Sequence, residues 1–310
     1  LASGETLRCS PTENAEVFDA TIGGMGLTGV VLSATLRLLP VETPWVRVVK
    51  RRGKCLEEVL ARLEEEESLS RYSVAWIDGL ARGRALGRGV LMRGDHVLAA
   101  ELPRGKAVRG SLPERPGPNV PFEAPSALLS PLTISAFDAL YYAAGRDSTG
   151  LSGPASFFFP LDALGSWNRL YGRRGFVQYQ ALLPRETAAE GCRRLLEEVS
   201  RERAASFLAV LKTTGPEGRG VLSFPRPGFT LALDLPNVGE RLRPLARRLD
   251  EILLAHGGRL YLAKDAHTDA ATFAAMYPRL PELLAVKRRL DPNGRFSSSQ
   301  ARRLGLAEAR

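Results

Sequence analysis

The chain has 310 residues, 44% hydrophobic and 25% charged, with a formal net charge of +9. That balance is ordinary for a globular protein of one large domain or two ordinary ones, and no apolar run reaches the length a membrane helix needs. Cys9, Cys55 and Cys192 are odd in number, widely spaced and form no C-x-x-C, which argues against both a disulfide framework and a structural zinc site, so no metal is expected. The surplus of positive charge reads either as a solvated arginine-rich surface or as attraction to phosphate.

The chain opens at Leu1, within what reads as a strand, "GETLRCS", and carries no visible signal peptide; the natural protein is expected to begin earlier. "PTENAEVFDAT" reads as a short helix capped by Thr12 or Asn14, with Val17 and Phe18 on its apolar face. After the glycine turn "GGMGLTG", Leu32, Ala34, Leu36 and Leu38 alternate with Ser33, Thr35 and Arg37, which predicts a strand ended by Pro40. Strands are predicted at 45–52, 71–78 and 87–95, and an amphipathic helix at 55–69. Residues 102–131 are rich in Pro and Gly, have no periodicity and read as a lid or a disordered loop. A helix is expected at about 134–146, then an aromatic strand "ASFFFP" and a second loop, "LDALGSWNRLYGRR". Strands follow at 175–184, 205–215 and 228–236, with helices at 185–203 and 238–256, and a strand in "GGRLYLAKDAH" (257–267). The expected class is α+β, a large antiparallel sheet with helices on one side.

Gly24, Gly26 and Gly29 fit the dinucleotide fingerprint G-x-G-x-x-G, but here a helix precedes the glycines and a strand follows them. A Rossmann entry has the reverse order, so another close approach of backbone to a ligand or a packed helix is the reading that remains. Three features carry possible chemistry. Lys264 ends a buried strand, where desolvation would lower its pKa; the alternatives are pairing with Asp265 or snorkelling to water. His267 just beyond it reads as a ligand, a base or a surface histidine. Gln178 and Gln180, at i and i+2, share one face of a strand and suit a polyhydroxyl ligand, or lie on an exposed strand face. Lys212 in "FLAVLKTTG" could hold a phosphate or snorkel. The basic residues near the end, from Arg279 to Arg303, have no interleaved aromatics and no nucleic-acid-binding signature.

Long blocks occur in an order that resembles one flavoenzyme family: "CSPTENAEVFDATIGGMGLTGVVLSATLRL", "GRGVLMRGDH", "PLDALGSWNRLYGRRGFVQYQALLP", "GPEGRGVLSFPRPGFTLALDLP" and "GGRLYLAKDAHTDAATFAAMYPRL". The chain is similar to the decaprenylphosphoryl-β-D-ribose 2'-oxidase family of the vanillyl-alcohol-oxidase (PCMH-type) FAD superfamily, over essentially its whole length. The resemblance implies three segments. Residues 1–44 would be the C-terminal remnant of the FAD-binding domain, 45–256 the substrate (cap) domain, and 257–310 a segment returning to the flavin. The pyrophosphate-binding loop would lie before residue 1, so the chain as given is expected to bind FAD poorly and to be inactive alone.

The resemblance also assigns residues. Lys264 matches the active-site lysine; Gln178, Gln180 and Lys212 match substrate-pocket residues; Gly24, Gly26, Gly29, Val30 and Tyr261 fall on the FAD side. Phe158, Thr230 and Ala232 stand where mycobacterial members carry tyrosine, asparagine and cysteine, so the pocket rim is altered while the lysine and both glutamines are kept. The implied activity is FAD-dependent oxidation of a secondary sugar hydroxyl to a ketone, with the 2'-OH of a polyprenylphosphoryl-β-D-ribose as substrate, in cell-wall arabinan synthesis. A sugar-lactone or alditol oxidase, or a flavin-free polyprenyl-phosphate binder, is the alternative. The implied setting is cytoplasmic or cell-envelope, peripheral to a membrane, with an NAD-dependent reductase as partner.

Overall fold

A computed structural model of the chain describes residues 1–106, 108, 117–125, 130–204 and 207–307. The period-two segments become the middle of one eight-stranded sheet. The strands are β1 (Val46–Gly53), β2 (Tyr72–Ile77), β3 (Gly89–His96), β4 (Ser148–Ser152), β5 (Phe176–Pro184), β6 (Ala209–Thr214), β7 (Gly228–Pro236) and β8 (Arg259–Leu260). Their order is β4-β1-β3-β2-β6-β7-β5-β8, and every neighbouring pair is antiparallel.

Register decides what each face carries. Across β5 and β7, Tyr179 pairs with Leu233 and Ala181 with Leu231; across β2 and β6, Ala75 pairs with Leu211. These buried residues form one face with Ile77 and Leu91. Against it pack α2 (Leu56–Glu65), α5 (Arg185–Arg201) and α6 (Arg243–Ala255) through Val59, Leu63, Leu195, Val199, Leu249 and Leu253. The same cluster runs on into α1 (Ala15–Thr21), α7 (Ala270–Met276), α8 (Leu280–Leu290) and α9 (Ser299–Arg303) through Val17, Phe273, Leu283 and Ala301. The opposite face carries Gln178, Gln180, Lys212, Thr230, Ala232 and Asp234, because paired residues of antiparallel strands share a side. On that face α3 (Pro131–Ala144) and α4 (Pro154–Phe158) cover the end of the sheet nearest β2 and β3. The α+β expectation of a large antiparallel sheet with helices is borne out, but the helices are not all on one side, since α3 and α4 lie on the second face.

Several local readings are corrected. "ASFFFP" forms α4 rather than a strand: Pro154 at the first helical position follows extended Gly153, an arrangement that starts a helix and outweighs the strand propensity of three phenylalanines. "GETLRCS" forms no strand. The 238–256 helix begins as a single 3₁₀ turn, with α6 starting at Arg243 just ahead of Pro244. "GGRLYLAKDAH" yields only the two-residue β8, then a 3₁₀ turn at Leu262–Lys264. The polar edge strand β4 has too little alternation to be read from sequence. Much of the predicted 102–131 loop lies outside the described residues.

The predicted strand after the glycine turn is the largest departure. Residues 30–41 join no sheet, and among the described residues none makes a backbone–backbone hydrogen bond. Val30, Leu32, Leu36 and Leu38 are 68 to 79% exposed. Alternation prepares one face for burial, but a strand also needs a partner edge, and nothing described offers one.

Candidate active site

The polar sheet face is organised around two glutamines. Lys264 Nζ donates to Gln180 Oε1 at 2.9 Å, and Gln180 Nε2 donates to Thr230 Oγ1 at 3.0 Å. Since a lysine ammonium can only donate, it fixes the amide: oxygen toward Lys264, nitrogen toward Thr230. Two residues along β5, Gln178 Nε2 donates to Asp234 Oδ1 at 2.5 Å, and Tyr171 Oη donates to the other carboxylate oxygen at 2.9 Å. The Gln178 carbonyl oxygen is thereby left for a donor from outside. Lys212 lies opposite Thr230 on the neighbouring strand and is exposed; Ala232, half-buried, is opposite Gln180.

Electrostatics follow from burial. Desolvation lowers the Lys264 pKa; the Asp234 carboxylate works against that, while Lys212 adds to it. Asp234 is 1% exposed, and burial raises its pKa against the hydrogen bonds from Gln178 and Tyr171. Lys264 does not make the pairing with Asp265 that the sequence offered as one alternative. That carboxylate is held by Gln300 Nε2 at 2.9 Å and Arg303 at 3.0 Å, from α9. Gln300 also donates to the carbonyl of Leu262, and Arg303 to that of Thr268, so the C-terminal helix clamps the turn that presents Lys264. His267 is half-buried, its pKa lowered first by desolvation and then by Arg243.

The other sequence candidates divide into two groups. Tyr261 is half-buried, packs tilted against Phe224 with centroids 4.8 Å apart, and its ring lies 5.8 Å from Lys264 Nζ. It joins the site through the strand end, where its backbone N–H donates to the Gln180 carbonyl at 2.9 Å. Phe158 sits farther along the same sheet face, edge-on to Tyr72 at 4.9 Å, over β2 and β3. Sequence reasoning missed Asp234 and Tyr171. Asp234 carried a signal, since it follows Thr230 and Ala232 at the same period of two; Tyr171 carried none. Beside Tyr171 a cavity of about 440 Å³ opens between Arg173, Arg174, Pro236 and Val238. Among the described residues, no three His, Cys, Asp or Glu side chains gather to hold a metal ion.

Of the glycines, Gly24 is explained by packing: a Cβ there would meet the Ala20 carbonyl oxygen at 2.1 Å, against the end of α1. Gly26 is different. Its φ is +72°, it is exposed, and nothing lies within 4 Å of the Cβ it lacks, so bare backbone faces open space. With exposed Val30 four residues on, it offers a ligand a close approach.

Residues 240–304, which carry Tyr261, Lys264 and the α9 clamp, match the family model of D-arabinono-1,4-lactone oxidase. Decaprenylphosphoryl-β-D-ribose oxidase of Mycolicibacterium smegmatis is 36% identical, over 98% of this chain and 67% of that protein. The chain belongs to this family of FAD-linked oxidases. Alditol oxidase of a Streptomyces species is 42% identical over 41% of this chain and 31% of its own length. Among solved structures, the BBE-like 1 protein of Physcomitrella patens superposes with a TM-score of 0.54 at 12% identity, over 94% of this chain and 61% of that one. Cholesterol oxidase from B. sterolicum gives 0.50 at 12% identity, over 84% and 59%. These likenesses bear on the fold. The chain thus spans about two thirds of the mycobacterial relative and three fifths of the solved structures. Among the described residues, no helix is long and apolar enough to cross a membrane.

Proposed function

We propose that the chain carries the substrate side of an FAD-linked oxidase that converts a secondary sugar hydroxyl to a ketone, with the 2'-OH of a polyprenylphosphoryl-β-D-ribose as its substrate. The observation that carries this reading is the single sheet face on which Lys264, Gln180, Thr230, Gln178 and Asp234 interlock. Such a face offers donors at Lys264 and Gln180 and an acceptor at Gln178, the mixture that a sugar's hydroxyls match.

In this reading, residues 1–44 and 257–310 lie on the flavin side and 45–256 form the substrate unit. The residues present fit one side of such a cofactor: bare backbone at Gly26, exposed Val30 and the half-buried ring of Tyr261 would hold it. The exposed apolar stretch 30–41 would pack on the rest of the flavin-binding structure. FAD supplies, when bound, a two-electron acceptor for the hydride of a secondary alcohol. Gln178 and Gln180 orient the sugar. Lys264 holds the reacting hydroxyl and, with its pKa lowered by desolvation, takes its proton at Nζ in the neutral form. Lys212, exposed on β6, two strands from the glutamines of β5, holds the phosphate as a point charge. Phe158 and Ala232 shape the apolar rim.

An alditol or sugar lactone in place of the lipid-linked sugar is the second reading, favoured by the match of residues 240–304 to the lactone-oxidase family. In the flavin-loaded protein, Lys264→Ala should keep the flavin and slow its anaerobic reduction by substrate roughly 10²–10⁴-fold. Lys264→Arg should not rescue, because guanidinium stays protonated. Reduction within a few-fold of the parent rate would remove Lys264 from the mechanism. Equal rates on a polyprenylphosphoryl sugar and on a free alditol would favour the second reading.

A further inference from the structure

Helix α3 is built inside out. Of its fourteen residues, Asp138 alone is charged, and it is 1% exposed. The outward surface instead carries Leu132 (80% exposed), Leu140 (72%), Phe137, Tyr141 and a run of alanines. A helix on a water-facing surface normally shows the reverse pattern, with its charges outside. Ser130 caps the helix, its hydroxyl accepting from the Thr133 N–H, so it is a well-formed element; Phe137 and Tyr141 lean on Phe207 and Trp76 at one edge of its apolar face, while Leu132 and Leu140 stand in the open.

The rim of that face is cationic. Arg52 and Arg88 lie 5.6 and 4.9 Å from the ring centroid of Tyr142, at the helix's C-terminal end; Arg146 follows the helix directly, and Lys50 is on the same strand face as Arg52. Arg52, Arg146 and Lys50 are exposed. The acid at that end, Asp147, is engaged by the Arg52 backbone N–H at 3.0 Å and by Arg51 at 4.0 Å. An apolar helical face bordered by exposed Lys and Arg is the composition that lies in the interface of an anionic bilayer, apolar side chains among the acyl chains and cations at the headgroups. An apolar patch on another protein would leave those cations unanswered.

The patch also leads somewhere. Tyr141 neighbours Phe137 at 5.9 Å, Phe137 meets Phe207 edge-on at 5.1 Å, and Phe207 lies 6.2 Å from Tyr171, whose hydroxyl holds Asp234. Aromatic surface is thus continuous from the outer face of α3 to the polar sheet face. We propose that the exposed face of α3 docks the protein on an anionic lipid surface, with the helix lying along the bilayer interface. Docking of this kind needs neither flavin nor substrate, so it stands or falls apart from the redox reading.

The test is sedimentation of the chain with large unilamellar vesicles of phosphatidylcholine containing one third phosphatidylglycerol, against vesicles of phosphatidylcholine alone. The chain should sediment with the anionic vesicles and more weakly with the neutral ones. The double variant Leu132→Glu, Leu140→Glu should lose roughly tenfold or more in vesicle affinity. Leu69→Glu, at an exposed leucine away from α3, should bind as the parent does. Because both α3 leucines are exposed, the double variant should keep the parent's circular dichroism. Should it fail to fold, Leu140→Trp gives a second reading: its emission should shift to the blue on anionic vesicles. No sedimentation of the parent, equal sedimentation of the parent and the double variant, or no emission shift overturns the proposal. So does a parent dimer in sedimentation velocity that Leu140→Glu dissolves, which would make a second copy the occupant.

Discussion

Replacing Asp138 by Asn should stabilise the protein, increasingly so as the pH rises from 5 to 8. Asp138 faces Asp78, and among the described residues its two carboxylate oxygens meet no donor. Asp78 is already engaged by Arg88 at 2.8 Å and by the N–H groups of Leu80 and Ala81. Burial first, and the negative charge of Asp78 second, push the Asp138 pKa from 3.8 up to about 8. Protonated, Asp138 can donate to Asp78, and the pair is satisfied. In the unfolded chain the same carboxyl ionises near its ordinary value. Between the two values folding takes up a proton, so stability falls as the pH climbs through this range and is level above it. Each pH unit is worth about 1.4 kcal/mol, and at pH 7 the cost is on the order of 3 kcal/mol once the proton is shared with Asp78. Asparagine offers an N–H to Asp78 without needing a proton. Asp138→Asn should therefore gain on the order of 1 kcal/mol at pH 5 and about 3 kcal/mol at pH 7, which is roughly 5 °C in Tm for a chain of this size. Urea titrations of both proteins across that pH range measure the difference directly. A difference that is flat with pH, or a loss of stability at pH 7, would refute the reasoning.

Asp234→Asn removes the anion that supports the Lys264 charge, so the lysine should titrate at a lower pH than in the parent; carbon-13 NMR of reductively methylated protein reads that shift, and an unmoved lysine would break the link between the two groups. Tyr179→Phe takes one of two donors from the buried carboxylate of Asp250, to which Tyr179 and Thr268 donate at 2.9 and 3.0 Å, and should cost about 1–3 kcal/mol in urea unfolding. Burial has already raised Asp250 to about 6, and losing the donor raises it further, so the cost should be smaller at pH 5, where the carboxyl is largely protonated, than at pH 8; the reverse order would place the carboxylate elsewhere.

The central strands could be read from the sequence because both their faces have consequences. β7 occupies the predicted residues 228–236, and the period that buries Phe229, Leu231 and Leu233 turns Thr230, Ala232 and Asp234 the other way. The same period put Gln178 and Gln180 on one face. What could not be read is which polar groups meet. Asp234 binds Gln178 and Tyr171 only because β5 and β7 pair in one register and the turn before β5 folds back over it. Local propensity also fails where a single backbone constraint outweighs it, as Pro154 does over "SFFF". At 30–38 the pattern describes a face awaiting burial, and pattern alone cannot say whether the covering surface is present.

Helix coverage decides where the chemistry can be. The amphipathic helices α2, α5 and α6 all spend their apolar stripes on one face of the sheet, which leaves the other face to other elements. Those elements, α3 and α4, cover it near β2 and β3, where Trp76 and Tyr72 meet their aromatic rings. Over β6, β7 and β5 that face keeps its polar side chains, and a carboxylate and a lysine there would be costly unless paired. Each is held by its own amide, Lys264 by Gln180 and Asp234 by Gln178, and the charged neighbour sets that amide's orientation. Among the described residues that strip of sheet is lined with groups that hold one another in fixed orientation and still keep spare donors and acceptors, and the proposed polar ligand rests on that property. The α9 clamp on the Lys264 turn means that the cation's position depends on α9 as well as on the sheet it faces.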